Sequence, residues 1–562
     1  MKEHSRMIRR LTLSLLVCTL ACVPEEGPPG PDTPPPETPG QQTQRAEPLD
    51  TPSEPNALRF LEQATFGPRL AHGVTPPPGD SVEHIMAVGI RQAITEQFAA
   101  PRSTFDGLAT PDLGSQFFHH AIHGQDQLRQ RVAFALSQVL VVSQNGIPNI
   151  ISTPEPEPRV AMASYLNLLN QRAFGDFRQL MEDVTLHPAM GTYLDLANNK
   201  AFKPNGQPIA PNENYARELL QLFTLGLYQL QENGEPVLVA GEKVPVYTEA
   251  HVQAFAHTLS GWTYAAPTCP ALGRSNPATY TAPMMDCDVN HDRTSRELLR
   301  GVWTTPGAGA RQHMEEALDN IFNDPNLPPF LCKQLIQHLV TSNPSQAYVQ
   351  DIVNAFKDNG SGKRGDLRTV IRRILQHDEA RGATPPASQL ATFGHLRPPA
   401  LHVTTLVRGL NGTLDTLGGT QDPGALLSDW SQDMGQHVPR APSVFSYYPP
   451  GAPAPGGGGL LGPEFAILDT ATVTARANVT HDLLFRATTA TRGVLVDLDI
   501  LPSASADLVQ WLDRYWLHGT MSEDLHDVVL NAISHPDAGD LTRRKRLAVY
   551  LTSLSPEFQI QR

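Results

Sequence analysis

The chain has 562 residues, enough for two to four structural units; 18% of them are charged and 51 are proline. The formal net charge is −14, and no Lys/Arg stripe or basic cluster runs along the sequence. That excludes the nucleic-acid binders that hold phosphate through a basic face.

Lys2, Arg6, Arg9 and Arg10 make a positive start, and Leu11 to Ala21 follow as an apolar run too short to span a bilayer as a helix. The stretch Thr19-Leu20-Ala21-Cys22 resembles the end of a bacterial lipoprotein signal, although leucine is usual where Thr19 stands. Residues 1–22 are therefore expected to be a signal peptide ending at the lipidation cysteine, Cys22; simple secretion is the alternative. Residues 23–55 hold eleven prolines and few large apolar side chains. They are expected to be a disordered tether, reaching up to ~100 Å at ~3.1 Å per residue. The protein is thus expected to be exported, with its body lipid-anchored at the outer membrane or cell surface.

From residue 56 the apolar spacing is mainly helical. In DQLRQRVAFALSQVLVV (126–142), Leu128, Val132, Ala135, Leu136 and Val139 share a face. The same period predicts helices over 164–170, 176–187, 248–259, 311–323, 330–341, 345–358, 365–377, 398–410, 464–486, 505–516, 521–533 and 541–554. Strand alternation is confined to 235–247, a hairpin around Ala240-Gly241. The expected fold class is all-α: a main body over 56–448, a flexible Gly/Pro-rich loop over 449–463, and a C-terminal helical part of the same body over 464–562. Four helical patterns end in His or Ser: LMEDVTLHPAM, VIRRILQHDEA, VVLNAISHPDA and LAVYLTSLSPEF. A histidine suits the negative end of a helix and proline stops it, so His187, His377 and His535 read as helix stops rather than metal ligands.

Cys269 and Cys287 flank a segment rich in Pro, Ser, Thr and Asn, and a disulfide closing it would contribute ~3 kcal/mol. Cys332 lies in an apolar helical start and reads as a buried thiol.

Three constellations carry chemistry-bearing residues. PNENYARELLQLFTLG (211–226) opens with Asn212, Glu213 and Asn214. Either asparagine can cap the helix, and Glu213 and Arg217 are spaced for an i,i+4 ion pair. Tyr215, Leu219, Leu222 and Phe223 fall on one face; Asn214, Arg217, Glu218 and Gln221 fall on another, which faces either water or a cleft. In DCDVNHD (286–292), Asp286, Asp288, Asn290 and Asp292, with Glu297 beyond, have the oxygen spacing of a calcium loop. His291 stands where that loop needs glycine, so a polar loop is the default and calcium the weak alternative. Asp292 beside His291 has the makings of an oriented imidazole for acid–base work. His119 and His123, with His120, have the spacing of a two-histidine helical face, but no third ligand follows. Trp262, Tyr264, Tyr447 and Tyr448 are the aromatics available to stack on a sugar. No G-x-S-x-G elbow, H-E-x-x-H, Walker loop or dinucleotide fingerprint is present.

LRFLEQATFGP (58–68), PNENYARELLQLFTLG, HTLSGW (257–262), HDRTSRELLRG (291–301), the stretch 443–450 and Ser555-Pro556-Glu557-Phe558-Gln559 follow one another in this order. By them, the chain from about residue 56 to its end resembles domain-of-unknown-function family 1800. That resemblance implies an exported bacterial protein of unestablished activity, whose gene often neighbours that of an exported sulfatase-related protein. Many members carry Trp-His-x-His-Phe where this chain reads Ala135-Leu136-Ser137-Gln138-Val139, which turns the expectation away from metal chemistry. The first expected function is binding or assembly at the cell envelope. The alternative is an extracellular enzyme or accessory acting on a polymer such as a polysaccharide. Its catalytic set would be Glu213, Arg217, Glu218, His291 and Asp292 in one cleft, with Asn212, Asn214 and Trp262 binding. The expected partners are a membrane through the lipid, and a sulfatase-related protein or a polysaccharide.

Overall fold

The computed structural model describes residues 48–562 except 72, 76–77, 110–111, 149–156, 281, 383–391, 416–421, 487–488 and 490. Residues 1–47, which include the expected signal segment, Cys22 and most of 23–55, lie outside the described residues. The last residues of that stretch are packed on the body. The Ile90 amide bonds the Leu49 carbonyl at 2.7 Å, Pro52 is buried, and Ser53 caps a helix over Glu54–Ala64.

The described residues are predominantly helical, with strands only as short antiparallel pairs. Most predicted helices are present, among them Gln127–Val139, Phe177–Leu186, Ala310–Asn323, Leu327–Leu339, Pro399–Gly409 and Leu541–Leu554. The 464–486 pattern divides into a 3-10 turn, Pro463–Ile467, and a helix, Thr470–Phe485, because Asp469 forms a capping box with Thr472. Among the helices not anticipated are Glu54–Ala64, Val82–Val88, Ile90–Ala99, Leu113–His123 and Pro423–Asp433. The first buries Asn56, Arg59, Glu62 and Gln63 alongside its apolar residues, which hides its hydrophobic period.

The helix stops at His187, His377 and His535 act in a way that the dipole argument does not describe. Each histidine ends one helix, then accepts a hydrogen bond at Nδ1 from the amide two residues on, at 3.1–3.2 Å, and so starts the next helical turn. Ser555 does the same for Pro556–Gln559 through the Phe558 amide. An accepting imidazole nitrogen must be unprotonated. Burial agrees at His187, pushing its pKa down to about 4.

Among the described residues there are four two-stranded pairs, one a local hairpin and three that clip separate segments together. Leu238–Val239 pairs with Glu242–Lys243 around Ala240-Gly241, as the hairpin pattern predicted. Trp262–Thr263 pairs with Met285–Asp286, beside the Cys269–Cys287 disulfide. Thr413–Leu414 pairs with Val494–Leu495, and His395–Leu396 with Ile560–Gln561. The 449–463 loop is an ordered excursion. Ala454 and Gly462 bond back across it, and Asn343 grips Leu461 through both its amide and its carbonyl, at 2.8 and 2.9 Å. Its Gly456–Gly459 tip stands free, every residue at positive φ with nothing packed against it.

One apolar core runs from Ala57 to Phe558 and includes Cys332, a buried free thiol. Charged groups are set within it. Arg397 bonds Glu62 at 2.6 Å with both side chains at most 2% exposed, and its Nε donates to the Phe558 carbonyl. His395 meets Glu464 at 3.0 Å, equally enclosed.

Candidate functional site

The N-terminus of the Asn214–Glu218 helix is tied to the turn that precedes it in space. Asp195 and Asn198 both adopt left-handed backbone, which Asp and Asn tolerate better than most residues. Asn199 and Asn212 exchange two side chain–backbone bonds, at 2.8 and 2.9 Å. Asn212 and Asn214 both donate to Asp195 Oδ2, and Asn212 Oδ1 accepts from the Asn214 amide. The asparagines therefore fold the entry loop rather than cap the helix: its N-cap is Glu213, which makes no side-chain cap. Glu213 forms the expected pair with Arg217 at 3.0 Å. Arg217 also clamps Glu249, at 2.7 and 3.0 Å.

The helix then widens. Leu219–Thr224 is a π-turn, with the Leu225 amide reaching back to the Leu220 carbonyl. This change of period breaks the predicted polar stripe. Glu218 is buried with Leu219 and Leu220, whereas Leu222, expected on the apolar face, is only half-buried. Burial raises the Glu218 carboxyl pKa, against the pull of Arg217. So of the five residues expected to share a cleft, Glu218 turns aside.

His291 and Asp292 do not pair with each other. His291 Nε2 meets His313 Nδ1 at 2.7 Å, and its Nδ1 meets the Ser260 carbonyl at 2.8 Å. His313 Nε2 in turn bonds the Thr305 carbonyl. Burial pushes the His291 pKa down to about 4. Gly261 has φ 89°, and its close approach to His291 leaves no room for a Cβ.

Asp292 takes a partner from the preceding helix, Glu249–Thr258. Its Oδ2 lies 2.7 Å from His257 Nδ1 and 2.6 Å from an Arg296 nitrogen. Burial alone would raise the Asp292 pKa; the Arg296 hydrogen bond and the Thr294 amide outweigh it and hold the carboxyl down at about 2. The His257 pKa is lowered by burial and by Arg296, partly offset by Asp292 and by the nearby charge of Glu213. His257 thus joins the two constellations, with Glu213 on one side and Asp292 on the other. His257 and Arg296 were missed as site residues; the only signal was their place in HTLSGW and HDRTSRELLRG.

Asp292 and His291 also line an open pocket of about 470 Å³ with Phe202, Asp288, Arg293 and Thr294. Asp288 pairs with Arg293 at 2.8 Å and accepts from the Ala310 amide, at the start of the Ala310–Asn323 helix.

The calcium-loop reading does not survive this geometry. Asp286 pairs with Arg311, Asp288 with Arg293 and Asp292 with Arg296, while Asn290 Oδ1 accepts from the Gly273 amide. Glu297 is exposed in a hairpin opposite Trp303. Among the described residues no group of three or more His, Cys, Asp or Glu side chains is arranged to hold a metal. His119 turns to Asp422 at 3.1 Å, and His123 accepts from the Leu414 amide. The sugar-stacking reading is corrected too. Trp262 is fully buried beneath Arg311, and Tyr264 and Tyr448 are buried, so these three offer no free ring face; Tyr447 is half-buried and donates its hydroxyl to the His437 carbonyl. The exposed tryptophan is Trp303, at 61%.

A family model described as "Protein of unknown function (DUF1800)" matches residues 59–560. No curated protein and no solved structure matches the chain.

Proposed function

Because the chain belongs to the DUF1800 family, whose function is unknown, we propose from the site's own geometry that it is a binding or assembly protein of the bacterial cell envelope. Its contact surface is the face carrying Arg217, Glu249, His257, Asp288, Asp292, Arg293 and Arg296. One observation carries this reading: each carboxylate on that face is bonded to an arginine. Glu213 and Glu249 bond Arg217, Asp288 bonds Arg293, and Asp292 bonds Arg296. Glycoside hydrolysis needs a protonated carboxylic acid opposite an ionised one. Here Asp292 and Glu249 are both shifted towards the ionised form, Glu249 chiefly by its hydrogen bonds to Arg217. Preformed arginine–carboxylate pairs instead offer fixed donors and acceptors to a hydroxyl-rich or charged ligand.

The test is a binding screen of glycans and envelope polymers with the full chain. A retained ligand is expected, weakened about tenfold or more by Arg217→Ala or Arg293→Ala. Unchanged binding in both variants would remove this face from the function. The second reading, an enzyme acting on a polymer such as a polysaccharide, is favoured by His257. Asp292 fixes its Nδ1 side, and its Nε2 has no partner among the described residues, the arrangement of an oriented general base. Shortened products formed by the wild type and not by His257→Gln would select it.

The same reading places the protein on the membrane through a lipid at Cys22, held off by the Pro-rich stretch, with an exported sulfatase-related protein as a candidate partner. An oxidising compartment suits the Cys269–Cys287 disulfide. Growth with a radiolabelled lipid precursor is expected to label the wild type and not Cys22→Ser. An unlabelled wild type found in the medium would give secretion instead.

A further inference from the structure

The pocket beside Asp292 is walled by three segments that meet at one buried residue, Asn290. Its carbonyl accepts from the Ala201 amide at 2.9 Å, and its Oδ1 accepts from the Gly273 amide at 2.6 Å. The first bond holds a hairpin in which Ile209 bonds back to Ala201 and Lys203 to Gln207, and Phe202 sits on that hairpin. The second holds the chain enclosed by the Cys269–Cys287 disulfide. The third wall is the segment 288–294 itself. Phe202 is half-buried, and among the described residues it belongs neither to the apolar core nor to the side chains packed against that core. It lines the pocket with the exposed Asp288 and Arg293. Asp288 Oδ2 accepts from Arg293 and Oδ1 from the Ala310 amide, both at 2.8 Å, so each oxygen keeps an accepting position. Arg293 has further N–H donors beyond that bond.

We propose that this pocket binds a neutral hexopyranose unit of a glycan, its C–H face on Phe202 and its adjacent hydroxyls bridging Asp288 and Arg293. The proposal rests on the reading of this face as a contact surface, and it narrows the ligand. The Asp288–Arg293 pair presents an acceptor and a donor side by side. A hydroxyl both donates and accepts, so adjacent hydroxyls satisfy the two together. A carboxylate or phosphate brings no proton for Asp288 and sets like charges against each other; an ammonium brings no lone pair for Arg293 and does the same. Either would have to displace one partner of the pair. The negative face of the Phe202 ring attracts the slightly positive C–H groups of a pyranose, which a linear polyol does not gather on one face. The volume, about 470 Å³, lies within the range of small-ligand sites, about 300–1,000 Å³. Walls tied by backbone hydrogen bonds and a disulfide lose little freedom when a ligand enters.

Calorimetric titration of the full chain with cellotetraose, maltotetraose, mannotetraose and galactotetraose tests this. At least one is expected to bind. Tetragalacturonate, tetraglucosamine and sorbitol are each expected to bind more weakly than that sugar, by about tenfold or more. Phe202→Ala is expected to weaken the sugar by about fivefold or more with an unchanged circular dichroism spectrum, and Phe202→Tyr to retain it. Asp288→Asn keeps an oxygen for the Ala310 amide and is expected to lose about tenfold or more; it decides the matter should Phe202→Ala fail to fold. No binding by any of the four neutral sugars, equal or tighter binding of a charged oligomer, or binding unaffected by Phe202→Ala or by Asp288→Asn would overturn the proposal. A charged polymer retained by the wild type and lost in Arg217→Ala would overturn it and leave the contact face standing, whereas no retained ligand of any kind would remove both.

Discussion

Replacing Arg397 by alanine is expected to destabilise the protein by about 3–5 kcal/mol, the cost of breaking one side of a buried ion pair. Glu62 would keep a carboxylate in the core with Oε2 already unpartnered, and His518, 3.7 Å away, is itself pushed towards neutrality by burial. The Phe558 carbonyl would lose its donor as well, and the Phe558 ring would lose the guanidinium 4.8 Å from its centre. The urea midpoint checks this, with the slope watched for loss of two-state behaviour. The double variant Glu62→Leu/Arg397→Met removes both charges and should cost less than Arg397→Ala alone. A single variant within 1 kcal/mol of wild type would contradict the claim that this pair is desolvated.

Acid is expected to unfold the protein earlier than its carboxylates alone would dictate. Burial pushes the pKa values of His291, His518, His120 and His187 down to about 4. An unfolded histidine titrates near ~6.5, so between that value and about 4 the unfolded chain binds protons that the folded chain does not. The stability from these groups is fully present above pH ~6.5 and is lost as the pH falls towards 4. At His291 and His518 the loss is on the order of 1–3 kcal/mol each, and four such groups approach the whole stability of a typical domain. Glu218 and Asp513 oppose the trend weakly, because burial raises their pKa values and favours the folded state in acid. Asp292, held at about 2, extends the loss below pH 4. Urea midpoints measured from pH 7.5 to 4.5 should be flat at first and then fall steeply below about pH 6.5. A flat profile down to pH 4.5 would show that these imidazoles accept protons without penalty in the fold.

What the sequence disclosed followed from local periodicity, and what it concealed depended on distant partners. The helices at 310–323 and 541–554 repeat an apolar face every three to four residues, so their positions were evident. The i,i+4 pair of Glu213 and Arg217 was equally legible, because helix geometry alone brings them together. The π-turn leaves no mark in composition, yet it decides that Glu218 is buried and Leu222 half-exposed. Adjacency suggested His291 as the partner of Asp292. A chain extended there sends neighbouring side chains apart, and the true partner, His257, lies on another element. Trp262 looked like a platform because tryptophan is the residue of choice for one; its two-residue strand pairs with Met285–Asp286 and buries it.

The pairing of His395–Leu396 with Ile560–Gln561, together with the Arg397–Glu62 contact, has a consequence in time. Glu62 leaves the ribosome about 500 residues before Gln561, an interval of ~25–100 s at ~5–20 residues per second. For that interval the core lacks the Ile560–Gln561 strand, and Arg397, once made, has neither the Phe558 carbonyl nor the Phe558 ring. This part of the core therefore closes late: the Arg397–Glu62 pair gains its Phe558 contacts only when a segment made long after Glu62 has folded back onto it.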